Sequence, residues 1–262
     1  MRRWLAALPF FAYLTGVGML ASFERSMLFP APVLPEGWLA AAARAQGAEE
    51  IALRAEDGTP LYGWHLRAPT PRGVVVWFEG NGGSVGMRDE AFARLRDDGW
   101  DVVHVNYRGY PGSGGEPSEA GLRMDARAAW AYASRLGTPW IYGKSLGGGV
   151  AIGLAAEVEP KALVVESTFE SGVRVGREVL PWAPVRWIMR NRFDSASLAA
   201  KVRCPVVILH GEADEMIGVS HAHDLAKAFP TPPTVVTFPG GLHNDEFLTT
   251  QKGWEVVSGV LR

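Results

Sequence analysis

The sequence contains a single cysteine, Cys204, among its 262 residues. An intrachain disulfide is therefore impossible, and a metal site built on several thiolates is excluded as well. An excess of positive charge is also absent, because 26 Lys and Arg residues are balanced by 28 Asp and Glu residues. This balance argues against a nucleic-acid-binding surface, which is normally strongly basic.

Internal repeats, low-complexity segments and a phosphate-binding loop are absent too. Residues 80–83 are glycine-rich, but no Gly-Lys-Ser/Thr follows them, and Lys144-Ser145 lacks the glycine spacing of such a loop. With 47% apolar and 21% charged residues, the composition is that of a large globular domain. We expect no metal and no organic cofactor.

The first 25 residues differ in character from the rest. Arg2 and Arg3 precede an uncharged run, residues 4–23. A helix of this length spans about 30 Å, the thickness of the hydrocarbon core of a bilayer. The two arginines predict a cytoplasmic N-terminus, with the remaining chain on the periplasmic or extracytoplasmic side. Secretion after signal cleavage is the alternative, although residues 19–23 form a poor cleavage site.

From residue 49 onward, strand patterns alternate with helical patterns. A hairpin with a turn at Asp57-Gly58 comes first. Continuous apolar runs, typical of strands covered on both faces, follow at residues 73–78, 101–106, 140–142, 162–165, 206–210 and 235–238. Helices are predicted between and after them, at residues 84–97, 119–136, 146–157, 221–229 and 251–261. This alternation predicts an α/β fold with a mostly parallel central sheet flanked by helices.

The same pattern divides the chain into three parts. Residues 1–25 form the predicted membrane anchor or signal sequence, residues 26–48 a proline-rich linker, and residues 49–262 one α/β domain. A helix-rich stretch at about residues 171–200 interrupts the alternation, and we interpret it as a small helical lid inserted over the sheet edge. Tryptophans and arginines interleave there, which suits an anionic membrane interface. Packing of its apolar face on the core is the alternative.

The segment Gly143-Lys144-Ser145-Leu146-Gly147 fits G-x-S-x-G, the strand-to-helix turn that lifts a serine hydroxyl out of a parallel sheet. A short strand pattern precedes it and a helical pattern rich in glycine and alanine follows. Small flanking residues are needed because the serine backbone lies in a strained, closely packed turn. We therefore predict that Ser145 is a nucleophile.

A serine nucleophile needs a base that takes its proton and a carboxylate that orients the base. Sheet-based hydrolases carry these groups in the order serine, acid, histidine, at the carboxyl ends of strands. Asp214 and His243 follow two predicted strands in that order. Glu166, at the end of an earlier strand, is the rival candidate for the acid. His104 and His210 lie within apolar strands and are interpreted as core residues.

Attack on a carbonyl group creates an oxyanion, which backbone N–H groups can stabilise by ~3–4 kcal/mol each. The N–H of Leu146, directly after the nucleophile, is one predicted donor, and the N–H of Asn81 is the other. A glycine-rich turn that merely opens a helix is the alternative explanation of residues 80–83.

Further blocks of sequence accompany these residues in order, at residues 80–83, 106–118, 143–148, 166–169, 193–195, 204–205, 210–214 and 241–245. Together they resemble the α/β-hydrolase superfamily, and more narrowly its membrane-anchored, single-domain serine hydrolases. The resemblance implies an α/β-hydrolase fold, an N-terminal hydrophobic anchor, Ser145 as nucleophile, Asp214 as acid and His243 as base. The sequence departs from the family pattern at position 79, where it has glutamate and the family usually has histidine.

A carboxylate at position 79 lies near the predicted oxyanion site, where it is unfavourable unless it is paired or turned away. We expect Glu79 to pair with a cation, with Arg108 as the candidate partner. The sequence as a whole predicts a serine hydrolase that cleaves an ester or thioester of a small-molecule or lipid-linked acyl substrate through an acyl-enzyme. A serine peptidase or amidase and a non-catalytic binding relative are the alternatives.

Overall fold

The computed structural model describes residues 8–261 and centres on an eight-stranded sheet. Its strands are β1 (Glu49–Arg54), β2 (Pro60–Leu66), β3 (Gly73–Phe78), β4 (Trp100–Val105), β5 (Trp140–Lys144), β6 (Leu163–Glu166), β7 (Val206–Gly211) and β8 (Thr234–Phe238). They lie in the order β1-β2-β4-β3-β5-β6-β7-β8. The β1–β2 and β2–β4 pairs are antiparallel and all other neighbours are parallel. The predicted mostly parallel sheet is confirmed.

The described helices are α1 (Leu8–Leu28), α2 (Trp38–Gln46), α3 (Asp89–Asp97), α4 (Glu119–Ala133), α5 (Leu146–Ala155), α6 (Gly172–Val179), α7 (Val185–Ile188), α8 (Ser195–Ala199), α9 (Ser220–Ala226) and α10 (Gln251–Val260). Helix α3 starts five residues later than the predicted residue 84. The delay has a local cause, because the N–H of Val85 donates to Asn106 Oδ1 at 2.8 Å and Gly86 has a φ of +85°.

Helices cover both faces of the sheet because its central strands are apolar on both sides. Every residue of β4, β5, β6 and β7 is buried. On one face the strands pack with α4 and α5, for example with Leu122 and Val150, and on the other with α3 and α10, for example with Phe92 and Trp254. Helix α5, which follows the G-x-S-x-G segment, is buried along its whole length.

Within residues 8–261, none of the helices is long and apolar enough to cross a bilayer. The structure therefore does not support the membrane-spanning helix predicted for residues 1–25. Helix α1 continues to Leu28 and includes the charged residues Glu24 and Arg25, while residues 4–7 of the predicted run lie outside the described residues. Arg2 and Arg3, which carried the prediction of orientation, lie outside the described residues.

The helix-rich stretch at residues 171–200, here called the lid segment, contains α6, α7 and α8. It joins β6 to β7, two interior strands, and it contacts α1 and the start of α4. Glu24 Oε1 accepts hydrogen bonds from the N–H groups of Arg190 and Asn191 at 2.9 and 2.8 Å. Glu119 Oε2 accepts from the N–H groups of Arg192 and Phe193 at 2.8 and 3.0 Å.

Candidate active site

Ser145 occupies a sharp turn between β5 and α5. Its φ of +51° and ψ of −118° are strained for any residue other than glycine. Two hydrogen bonds hold this backbone, since the N–H of Ser145 donates to Glu166 O and the hydroxyl of Thr168 donates to Ser145 O, both at 2.8 Å. The turn fixes the serine at the carboxyl end of the sheet, as the sequence motif predicts.

The structure brings together the three side chains that the sequence proposes for chemistry. His243 Nε2 lies 3.1 Å from Ser145 Oγ. On the other side of the ring, His243 Nδ1 lies 2.9 Å from Asp214 Oδ2 and 3.1 Å from Oδ1. With the proton on Nδ1, the ring donates a hydrogen bond to the carboxylate. The lone pair of Nε2 can then accept the serine proton.

The Asp214 carboxylate is fully buried and held from several sides. Its Oδ1 accepts hydrogen bonds from the N–H groups of Met216 and Ile217 at 3.0 and 2.7 Å. Burial alone would raise the pKa of Asp214, but the hydrogen bonds from His210, His243 and Ile217 outweigh burial and hold that pKa below its usual range. Asp214 is therefore ionised at neutral pH and oriented towards the imidazole.

Glu166, the rival candidate for the acid, has other partners. Its side chain is fully buried, and its Oε1 accepts from Lys144 Nζ at 2.6 Å while its Oε2 accepts from the N–H of Leu248 at 3.0 Å. Because both oxygens are engaged there and Asp214 contacts His243 Nδ1, the geometry favours Asp214 as the acid.

The two strand histidines are buried as predicted. Burial lowers the pKa of His104 to about 4 against the opposing charge of Glu79, so His104 is neutral at pH 7. His210 Nε2 donates to Ile217 O at 2.7 Å and also lies 3.3 Å from Asp214 Oδ2. The second contact was not foreseen from the sequence, although His210 stands four residues before Asp214.

The glycine-rich loop after β3 lies directly against the nucleophile. A Cβ atom added to Gly80 would lie only 3.6 Å from Ser145 Cβ. The loop backbone is held from outside, because the hydroxyl of Tyr107 donates to Glu79 O at 2.8 Å and the hydroxyl of Tyr110 donates to Asn81 O. The two residues predicted to supply oxyanion donors are thus close to the nucleophile, because Asn81 follows Gly80, which lies against Ser145, and Leu146 follows Ser145 itself.

Glu79 is buried and paired with a cation, as expected, but the cation is Arg88. Arg88 Nε donates to Glu79 Oε2 and Arg88 Nη2 donates to Oε1, both at 2.9 Å. Trp77 Nε1 and the N–H of Gly80 add hydrogen bonds at 3.2 and 2.9 Å. Burial would raise the pKa of Glu79, but the hydrogen bonds and charge of Arg88 outweigh it and lower that pKa.

The prediction that Arg108 pairs with Glu79 is wrong. The Arg108 guanidinium instead binds Asp125 Oδ1, at 3.0 Å from Nε and 2.8 Å from Nη2, and Asp57 Oδ2 at 2.7 Å. Asp125 lies on α4, which packs beside the end of β4, so two carboxylates already satisfy this arginine. Arg88 immediately precedes α3, and a loop pair nine residues apart follows no spacing rule that a sequence could reveal.

Comparison with known sequences identifies relatives of this chain. No family model matches the chain. The chain is 35% identical over 208 residues to the protein Rv2307c of Mycobacterium tuberculosis, an alignment that covers 75% of this chain and 72% of that protein. It is 31% identical over 264 residues to the alpha/beta hydrolase domain-containing protein WAV2 of Arabidopsis thaliana, covering 89% of this chain and 85% of WAV2.

Solved structures share the fold at low sequence identity. The Pyrococcus furiosus esterase Pf2001 superposes with a TM-score of 0.69 at 16% identity, covering 88% of this chain and 95% of the esterase. Est1E from Butyrivibrio proteoclasticus superposes with a TM-score of 0.64 at 19% identity, covering 81% and 96%. At these identities the likeness establishes the fold alone.

Proposed function

Because the chain belongs to the family of α/β-hydrolase domain-containing proteins, we propose that it is a serine hydrolase that cleaves a carboxylic ester or thioester. One observation carries this proposal, the continuous set of contacts from Ser145 Oγ through His243 to Asp214 at 3.1 and 2.9 Å. A buried, ionised carboxylate, an imidazole and a strained serine in this sequence of contacts are the components of nucleophilic acyl transfer.

The reaction proceeds in two halves. In the first, His243 Nε2 takes the proton of Ser145 Oγ while the oxygen attacks the acyl carbon, and the N–H groups of Asn81 and Leu146 bind the oxyanion. Collapse of the tetrahedral intermediate breaks the bond to the leaving group, which receives the proton from His243. In the second half, water loses a proton to His243, attacks the acyl-enzyme and releases the acid and Ser145. Asp214 stabilises the imidazolium throughout.

The Glu79–Arg88 pair makes the oxyanion site compatible with an acidic neighbour. A lone buried carboxylate beside the loop would oppose the negative charge that develops on the substrate oxygen. Because Arg88 engages both carboxylate oxygens of Glu79, its positive charge offsets the buried negative charge there, and its remaining nitrogen binds the more exposed Glu246. We infer that the loop retains its capacity to bind an oxyanion although histidine is absent at position 79.

Turnover of a matched substrate panel tests the proposal. We expect the protein to hydrolyse short p-nitrophenyl esters and acyl thioesters, with a burst of leaving group that reports the acyl-enzyme. Ser145→Ala should abolish this turnover, and Ser134→Ala, at an exposed position after α4, should leave it unchanged. Faster cleavage of matched anilides would indicate the peptidase or amidase alternative. Absence of turnover on all three classes would favour a binding protein.

We further propose that the acyl substrate is presented at an anionic lipid surface. Trp182 and Trp187 of the lid segment are 57% and 84% exposed. The exposed arginines of the same segment are Arg177, Arg186, Arg190 and Arg192. Tryptophan combined with basic residues suits such an interface. Preference for an ester in anionic vesicles over a soluble ester, reduced in Trp187→Ser, would support this proposal, and equal turnover of the two esters would contradict it.

The location of the domain is a separate proposal from the sequence. It holds that the domain lies on the extracytoplasmic side of the membrane, with secretion after signal cleavage as the alternative. Protease added to sealed right-side-out membrane vesicles should then digest a membrane-bound domain. Full protection until lysis would contradict the proposal, and recovery of the domain in the medium would indicate secretion.

A further inference from the structure

Lys144 and Glu166 form a buried ion pair directly beside the nucleophile. They are register partners on the parallel strands β5 and β6, so their side chains leave the sheet on the same face. Their side chains are 3% and 0% exposed, and Lys144 Nζ lies 2.6 Å from Glu166 Oε1. Because desolvation offsets most of the attraction in such a pair, stability alone is a weak explanation for its presence.

The other hydrogen bonds of this pair converge on one segment. Lys144 Nζ also donates to Asp245 O at 2.5 Å, and Glu166 Oε2 accepts from the N–H of Leu248 at 3.0 Å. Residues 245–248 begin two positions after His243. The pair is also tied to the nucleophile, since Lys144 precedes Ser145 in the chain and Glu166 O accepts the N–H of Ser145.

We propose that Lys144 and Glu166 are positioning residues that hold His243 against Ser145 by anchoring residues 245–248 to the ends of β5 and β6. The proposal rests on the proposed serine hydrolase function. Its physical basis is that proton transfer requires His243 Nε2 within hydrogen-bond reach of Ser145 Oγ. The same segment also packs on β7 and β8 through Phe247 and is bound by Arg88 at Glu246, and the two anchor points add direct hydrogen bonds to the ends of β5 and β6.

Removing both charges together gives the sharpest test. Lys144→Met alone would leave the Glu166 carboxylate buried without its partner and could prevent folding. The double variant Lys144→Met/Glu166→Leu has no unpaired charge, keeps side chains of similar length and lacks both anchoring hydrogen bonds. Lys201→Met/Glu159→Leu makes the same chemical change at two exposed positions and is the matched control.

Kinetics separate positioning from a structural role. In the anchoring double variant we expect kcat for a p-nitrophenyl ester to fall by about 10- to 100-fold while KM changes little, because the substrate still binds but the base is displaced. The melting temperature should remain close to that of the control variant. A kcat equal to that of the control variant would overturn the proposal.

Hydrogen exchange tests the anchoring without relying on activity. Both double variants are placed in a Ser145→Ala background, and exchange is followed in the peptide that spans residues 244–249. We expect faster exchange there in the anchoring variant, and exchange equal to the control would overturn the proposal. If wild-type protein hydrolyses no ester while this exchange still accelerates, the anchoring stands and the proposed hydrolase function fails.

Discussion

Arg88 and Glu79 form a two-point ion pair at the base of the loop that carries Asn81, with both nitrogen–oxygen distances at 2.9 Å. The remaining guanidinium nitrogen, Nη1, donates a hydrogen bond to Glu246 Oε1 at 2.7 Å. Arg88 thus connects the loop after β3 to the segment that follows His243. The same side chain neutralises the acidic residue beside the oxyanion site and joins two loops of the candidate active site.

Loss of Arg88 should damage both stability and activity. Arg88→Met leaves the Glu79 carboxylate buried without its cation, so we expect the free energy of unfolding to fall by about 3 kcal/mol. Ester kcat/KM should fall as well, because an uncompensated negative charge then lies beside the oxyanion. Urea unfolding and steady-state kinetics measure the two effects.

A second substitution provides the control for this prediction. Adding Glu79→Gln to Arg88→Met removes the buried unpaired charge, leaves only the partly exposed Glu246 without its arginine, and should recover part of both losses. Arg44→Met, at an exposed position on α2, should change neither quantity. If the single Arg88 variant matched wild type, or if Glu79→Gln made it worse, the proposed compensation would be wrong.

Asp214 should be essential for rate but not for folding. In Asp214→Asn the amide cannot stabilise the imidazolium or hold the proton on His243 Nδ1, so kcat should fall by about 10⁴-fold. Circular dichroism should show a folded protein. Asp97→Asn, an exposed change of the same chemistry at the end of α3, should retain full activity. A modest loss in Asp214→Asn would return Glu166 to consideration.

His221 predicts a pH dependence of stability. The ring is buried, with Nδ1 2.5 Å from Glu170 Oε2 and Nε2 2.9 Å from Glu178 Oε2, and Glu178 lies on α6 of the lid segment. Burial lowers the pKa of His221, but the hydrogen bonds and charges of these carboxylates outweigh burial and raise it. Protonated His221 therefore stabilises the folded state fully below about pH 6.5, and this contribution is lost as pH rises through the folded-state pKa.

Urea unfolding across pH checks this sign. The difference in unfolding free energy between wild type and His221→Gln should have its full value near pH 6, below the ordinary histidine pKa. It should shrink as pH rises through the pKa of His221 in the folded state. His223→Gln, exposed on the same helix, is the matched control. A difference that stayed constant or grew with rising pH would contradict the assignment.

Alanine substitution should have opposite effects on stability at two glycines of α5. A Cβ on Gly147 would lie 2.2 Å from Phe78 O, so Gly147→Ala must push the helix away from β3 and displace the turn at Ser145. A Cβ on Gly153 would meet nothing closer than 3.8 Å, and alanine there should stabilise the helix by about 0.5–1 kcal/mol. Melting temperature and ester turnover measure both. Equal effects of the two substitutions would contradict the packing described for this helix.

The sequence was most informative about the three candidate catalytic residues, because a motif and the order of the strand ends identify them. Ser145 follows from G-x-S-x-G, and Asp214 and His243 follow from strand ends in the required order. The structure brings these residues within hydrogen-bond distance because parallel strands present their carboxyl ends along one edge of the sheet. The alternation of strands and helices likewise predicted the sheet, since each buried strand reads as a continuous apolar run.

The sequence was least informative about charged partners. The choice of Arg108 for Glu79 was wrong because pairing depends on which side chains the fold brings together, and Arg108 lies between Asp57 and Asp125. The contacts of Lys144 with Asp245 and of Glu166 with Leu248 span 101 and 82 positions and leave no periodic signal. The anchor prediction rested on the uncharged run at residues 4–23. The described helix α1 continues beyond that run, and Glu24 in it accepts a hydrogen bond from the lid segment.

Covalent labelling of the serine tests the central claim most directly. Wild-type protein is treated with a fluorophosphonate, and the adduct is located by mass spectrometry of the digested chain, alongside Ser145→Ala and His243→Ala. We predict a single adduct on Ser145 in wild type, none in Ser145→Ala and strongly slowed labelling in His243→Ala. An unlabelled wild type, or an adduct that persists in Ser145→Ala, would contradict the assignment of Ser145 as the nucleophile.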